Sequence, residues 1–123
     1  MASSEQLESF IKSSFRSVWS LELLLLLKAV PRPWPRHELV DALRASDLVV
    51  SQSLESLTAA GLVSVEDTGV AHYSPASNTL GEMVDQSRDL YARSPDAVRR
   101  LIVVGTSSGG IAAFADAFRL RKD

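Results

Sequence analysis

Ser51-Gln52-Ser53-Leu54-Glu55-Ser56-Leu57-Thr58-Ala59-Ala60-Gly61-Leu62-Val63 is the stretch whose pattern decides the fold. With Val50 just ahead of it, Leu54 and Leu57 complete an i, i+4, i+7 apolar stripe, which predicts a helix from about Leu48 to Ala60. Gly61 ends that helix in the manner of a glycine just past a C-terminus. The period then changes. Leu62-Val63-Ser64-Val65 alternates, Asp67-Thr68-Gly69 has turn chemistry, and Val70-Ala71-His72-Tyr73 returns as a partner strand. Helix, glycine and hairpin follow one another without a linker.

Upstream, Arg44-Ala45-Ser46-Asp47 is a short polar break, in which Ser46 and Asp47 are both competent N-caps. Before it, Leu39, Val40 and Leu43 give a shorter helix one apolar face, and Pro35 suits its first turn. Pro31-Arg32-Pro33-Trp34-Pro35 must interrupt whatever precedes it, with Trp34 as a packed loop anchor. Val18, Trp19 and the run Leu23–Leu27 predict a helix that is apolar nearly all round, hence central and buried. Leu7, Phe10, Ile11 and Phe15 mark an N-terminal helix. Downstream, Leu80, Met83, Val84, Leu90 and Tyr91 mark an amphipathic helix, and Ser94-Pro95-Asp96 starts another. Gly105-Thr106-Ser107-Ser108-Gly109-Gly110 is a break before a last helix carrying Ile111, Phe114, Ala115 and Phe118.

The expected fold class is therefore mainly α with a small β-hairpin: a winged helix-turn-helix core with extra N- and C-terminal helices. The expected parts are an N-terminal helix over 1–16, the core domain over 17–75, and a C-terminal helical extension over 76–123. The stretch quoted first, with Glu38-Leu39-Val40-Asp41-Ala42-Leu43 before it, resembles the recognition helix, first wing strand and preceding helix of bacterial winged helix-turn-helix transcriptional regulators of the MarR and PadR type. The tail Phe114-Ala115-Asp116-Ala117-Phe118-Arg119-Leu120-Arg121-Lys122 resembles the end of small, uncharacterised bacterial winged-helix proteins. The resemblance implies that the 48–60 helix enters the major groove of duplex DNA. Its outward positions would then be Val49, Gln52, Ser53 and Ser56, with Gln52 suited to adenine. Arg36, Arg44 and His72 are the candidate phosphate contacts, with Arg32 beside them.

Charge speaks against a strong phosphate grip. The chain has a formal net charge of −2, but the region 45–87 contains no Lys or Arg. Asp47, Glu55, Glu66, Asp67, Glu82 and Asp85 lie in that region, including the hairpin tip. Duplex DNA is a dense polyanion, so a wing tip of Glu66 and Asp67 meets it with the wrong sign. The alternative is a winged-helix module that binds a partner protein instead of DNA, since fold alone does not settle function. Phe10, Phe15, Tyr91, Phe114 and Phe118 are the candidate contact or homodimer residues, with packing against the core as their plainer role. A weaker third reading is a regulator with a ligand cavity between the leucine-rich helix and the C-terminal helices.

Other classes find little support. With no cysteine, disulfides and thiolate metal sites are excluded, and His37 and His72 are isolated, so no metal site or cofactor is expected. Gly105 to Gly110 has the gap of a phosphate-binding loop, but Ile111 stands where that loop requires lysine. Ser107 and Ser108 have no neighbouring base, and the pairs Glu66-Asp67 and Asp85-Asp89 suit solvated surface. The chain reads as a non-enzyme. Five consecutive leucines fall far short of the roughly 20 apolar residues that span a bilayer. Glu5 and Glu8 stand where a secretory leader needs positive charge, so a cytoplasmic location is expected.

Overall fold

The computed structural model describes residues 4–105. Over that range the chain is mainly helical with one small antiparallel sheet. The order is α1 (Ser4–Ser14), α2 (Val18–Ala29), α3 (Arg36–Leu43), α4 (Asp47–Ala59), β1 (Val63–Val65), β2 (Ala71–Tyr73) and α5 (Asn78–Arg93). A further helix, α6, occupies 95–105.

Helix α2 is the hub. Ser17 caps it with a reciprocal pair of bonds, the Ser17 hydroxyl accepting from the Ser20 amide and the Ser20 hydroxyl from the Ser17 amide. Leu21, Leu23, Leu24 and Leu27 are all fully buried, so its apolar circumference is spent on contacts with several elements. It packs on α4, α3 and β2. Lys28 at its end forms an ion pair with Asp85 of α5 at 2.7 Å, and Tyr91 donates to Glu22 at 3.3 Å, so α5 is tied to α2 at two points.

Helix α4 starts where Ser46 caps it, its hydroxyl accepting from the Val49 amide. At its end the Gly61 amide bonds the Thr58 carbonyl and the Leu62 amide bonds the Leu57 carbonyl, each at 3.0 Å. That turn needs a left-handed residue, which Gly61 supplies at φ +78°. Leu62 and Val63 are thereby delivered into the core and β1 begins at once. The hairpin pairs Val63 with Tyr73, Ser64 with His72 and Val65 with Ala71.

The proline-rich segment does more than anchor a side chain. Trp34 is buried, and its backbone exchanges two hydrogen bonds with Ala71, of 3.0 and 2.9 Å, as an isolated antiparallel bridge. The link between α2 and α3 thus lies along the hairpin.

Two expectations need correction. Phe10 and Phe15, taken as contact candidates, belong to the core: both are buried and meet edge to face at 5.8 Å between ring centres. The reason is that α1 packs against α5, which turns its apolar stripe inward. Ser53, expected to face outward, is only 5% exposed. Helix α4 touches α2, α3 and β1, so its covered arc is wider than the Val50–Leu54–Leu57 stripe. The segment holding Phe114 and Phe118 lies outside the described residues.

Candidate functional site

The exposed side of α4 is a ridge with a groove along each flank. Glu55 and Ala59 line both grooves and so form its crest. The first groove, of about 880 Å³, runs between the ridge and the hairpin turn. Leu54 and Val65 contribute apolar surface, and Asp47, Asp67, Arg36 and His37 contribute charge or polarity. The second, of about 630 Å³, lies between the ridge and the start of α2. Val49, Gln52 and Ser56 line it from α4, with Arg16 and Trp19 opposite.

All four α4 candidates therefore border this groove, Ser53 as a buried residue and the other three nearer its surface. Gln52 is exposed, while Val49 and Ser56 are half-buried. The Ser56 hydroxyl is turned back onto the Ser53 carbonyl at 3.0 Å. Sequence reasoning passed over Trp19, which is 39% exposed, and Leu48, at 65% the most exposed of the large apolar side chains described. Trp19 was hidden by its setting, inside a helix whose other apolar residues are core. Leu48 opens the predicted helix two residues ahead of Val50, off the Val50–Leu54–Leu57 stripe.

The cations are less available than their number suggests. Arg36 donates to the Ser51 hydroxyl at 3.1 Å and stands 3.8 Å from Asp47, so it bridges the start of α3 to the first turns of α4. Arg32 is committed more fully: it pairs with Glu38 at 2.7 Å and lies 3.6 Å from the centre of the Trp34 ring. His72 is 3.1 Å from Glu66 within the hairpin, away from the ridge. Arg44 is different. It is exposed, has no ion-pair partner among the described residues, and holds a left-handed backbone at φ 54° and ψ 42°. Among the described residues it is the one non-glycine with positive φ.

Tyr91 is half-buried, with Arg99 over its ring at 5.8 Å, so it serves the packing of α5 and α6 on α2. Among the described residues no cluster of three His, Asp or Glu could hold a metal ion, and no helix is long and apolar enough to cross a membrane. Comparison of the chain with family models, with curated proteins and with solved structures finds no match.

Proposed function

We propose that this chain is a winged-helix DNA-binding protein, a transcriptional regulator that lays the crest of α4 into the major groove. The order α2, Trp34 bridge, α3, α4, hairpin supports the winged-helix reading. The observation that carries the DNA reading is Arg44. A bulky residue in the left-handed region costs about 1 kcal/mol or more, and such costs collect where a side chain has work to do. Here the cost leaves an unpaired guanidinium in the turn that leads into α4. Gln52 is the adenine reader.

This grip is weak by design. With Arg32 withdrawn onto Trp34, Arg36 and Arg44 are the phosphate contacts expected from the sequence that remain near α4. Two contacts per protomer give a salt slope of only about −2, doubled if a two-fold pair binds. The test is binding of mixed-sequence duplex between about 50 and 200 mM salt. Arg44→Ala should flatten the slope by about one per protomer for every sequence, and Gln52→Ala should change sequence preference. No binding at about 50 mM salt overturns the proposal.

One observation favours the second reading, a protein-interaction module. The groove between α4 and the hairpin has an apolar floor of Leu54 and Val65 under Asp47, Glu55 and Asp67, a setting for a basic peptide. Glu55→Gln separates the two readings. It strengthens DNA binding by removing a charge repelled by phosphate, whereas it weakens capture of a basic partner.

A further inference from the structure

Leu48 stands on the crest of the α4 ridge, which its exposure alone does not explain. Leu48, Gln52, Glu55 and Ala59 follow one another at i, i+4, i+7 and i+11, and all four are exposed. At about 100° per residue they fall within an arc of about 60°, so they form one line along the helix. Leu48 is the second residue of α4, and helical side chains lean toward the N-terminus, so it projects at the end of that line. Val49 beside it lines the second groove, with Trp19 opposite. Charge changes sign along the same line. Arg44 stands in the turn just before α4, and Arg36 reaches Ser51 at 3.1 Å. Asp47, the acid next to Leu48, faces Arg36 at 3.8 Å. Glu55, about two turns farther on, has no ion-pair partner among the described residues. A polyanion is therefore met best at the Leu48 end.

We infer that Leu48 reads the C5 methyl group of a pyrimidine, an assignment that rests on the DNA reading above. Of the marks a base pair shows in the major groove, the 5-methyl group is the apolar one, and the others are donors and acceptors. Thymine carries it, and so does 5-methylcytosine. A leucine side chain has no donor or acceptor with which to read the other marks. Pressed onto them it would leave polar groups buried without partners, whereas against a methyl group both surfaces leave water together. Leu48 and Gln52 are one turn apart, about 6 Å along the axis, and stacked base pairs rise about 3.4 Å. The methyl group therefore lies within about two base pairs of the adenine that Gln52 takes.

Duplexes with a randomised centre are enriched on the full natural chain at about 50 mM salt, and the enriched pool is copied with deoxyuridine in place of thymidine. That copy loses every C5 methyl group and keeps every hydrogen-bonding edge. The natural chain should bind it about fourfold more weakly, the size of one buried methyl group, while Leu48→Ala should bind both pools equally. A third copy, with 5-methylcytosine in place of cytosine, separates the two sources. Weakening confined to the uracil copy assigns the contact to thymine. Tighter binding of the third copy by the natural chain, and not by Leu48→Ala, assigns it to 5-methylcytosine. Equal binding of all copies by the natural chain overturns the inference. So does a uracil effect that persists in Leu48→Ala, because it would come from duplex deformability. Leu48 is 65% exposed, so Leu48→Ala should keep its urea midpoint, and a clear drop would make the side chain structural and overturn the assignment. If no duplex is enriched, the DNA reading fails and this inference with it, whereas binding without methyl preference sinks this inference alone.

Discussion

Arg44 and Gly61 occupy the same position in two copies of one helix-closing turn. After α3 the Arg44 amide reaches the Asp41 carbonyl at 3.4 Å and the Ala45 amide reaches Val40 at 3.2 Å. After α4 the Gly61 and Leu62 amides repeat the pattern on Thr58 and Leu57. Both residues are left-handed, yet only one is the glycine this turn favours. Arg44→Gly relaxes the backbone while giving the unfolded chain more freedom, and the two effects nearly offset. The urea midpoint should hold or rise, by no more than about 1 kcal/mol in stability, while DNA affinity falls. A clear drop in midpoint would make the Arg44 side chain structural and remove the argument that it is kept for phosphate.

The two left-handed glycines should differ in cost. At Gly61 a Cβ would stand 3.3 Å from the Ala76 Cβ and 3.5 Å from Leu80, whereas at Gly69, φ +87°, it would meet nothing within 4 Å. Gly69→Ala therefore loses only the backbone preference, about 1 kcal/mol. Gly61→Ala adds crowding between the end of α4 and the start of α5, and should cost about 2 kcal/mol or more. Urea unfolding of the two variants side by side checks the order, and equal losses would mean that Ala76 yields freely.

Much of this fold was legible because local chemistry and global packing agree. Ser46, Gly61 and the alternation around Val63 and Val65 each specify an element boundary, and the boundaries observed lie within a residue or two. The Trp34–Ala71 bridge was not legible, since a tryptophan between two prolines carries no strand period. Ser53 misled for a different reason: helical periodicity gives the centre of a buried face but not its width, which depends on how many neighbours close around α4. At the site, the sequence gives a count of arginines near α4 but not that Arg32 would be stacked on Trp34 or that Arg36 would be engaged with Ser51. Those commitments exist only once α3 and α4 are placed side by side.

Trp34 should be among the costliest single side chains to remove. It is buried, its Nε1 donates to the Val30 carbonyl at 3.0 Å, and the Arg32 guanidinium covers its ring. Trp34→Ala should cost about 3 kcal/mol or more through the cavity it leaves under the α2–α3 link. Trp34→Phe keeps most of the apolar contact and leaves the Val30 carbonyl without this partner, for a loss of about 1 kcal/mol. Denaturant midpoints with unchanged m-values check both, and a small effect of Trp34→Ala would mean that the backbone bridge to Ala71 alone holds the segment.

Tyr73 should make the fold sensitive to alkali. Burial raises its phenol above the ordinary value of 10.0, with Lys28, 5.3 Å from the ring centre, opposing the shift, Asp85 adding to it and Arg88 opposing it. Above pH 10.0 the unfolded chain releases the phenolic proton while the folded chain retains it. Here the folded state binds more protons, so stability falls with rising pH, and the fall ends only above the raised folded value. Below that window the group contributes no slope. Tyr73→Phe has no proton to retain, so its stability should decline less between about pH 9 and 11 than that of the natural chain, as read from urea midpoints at each pH. Parallel declines would mean that the phenol ionises as readily in the fold as outside it.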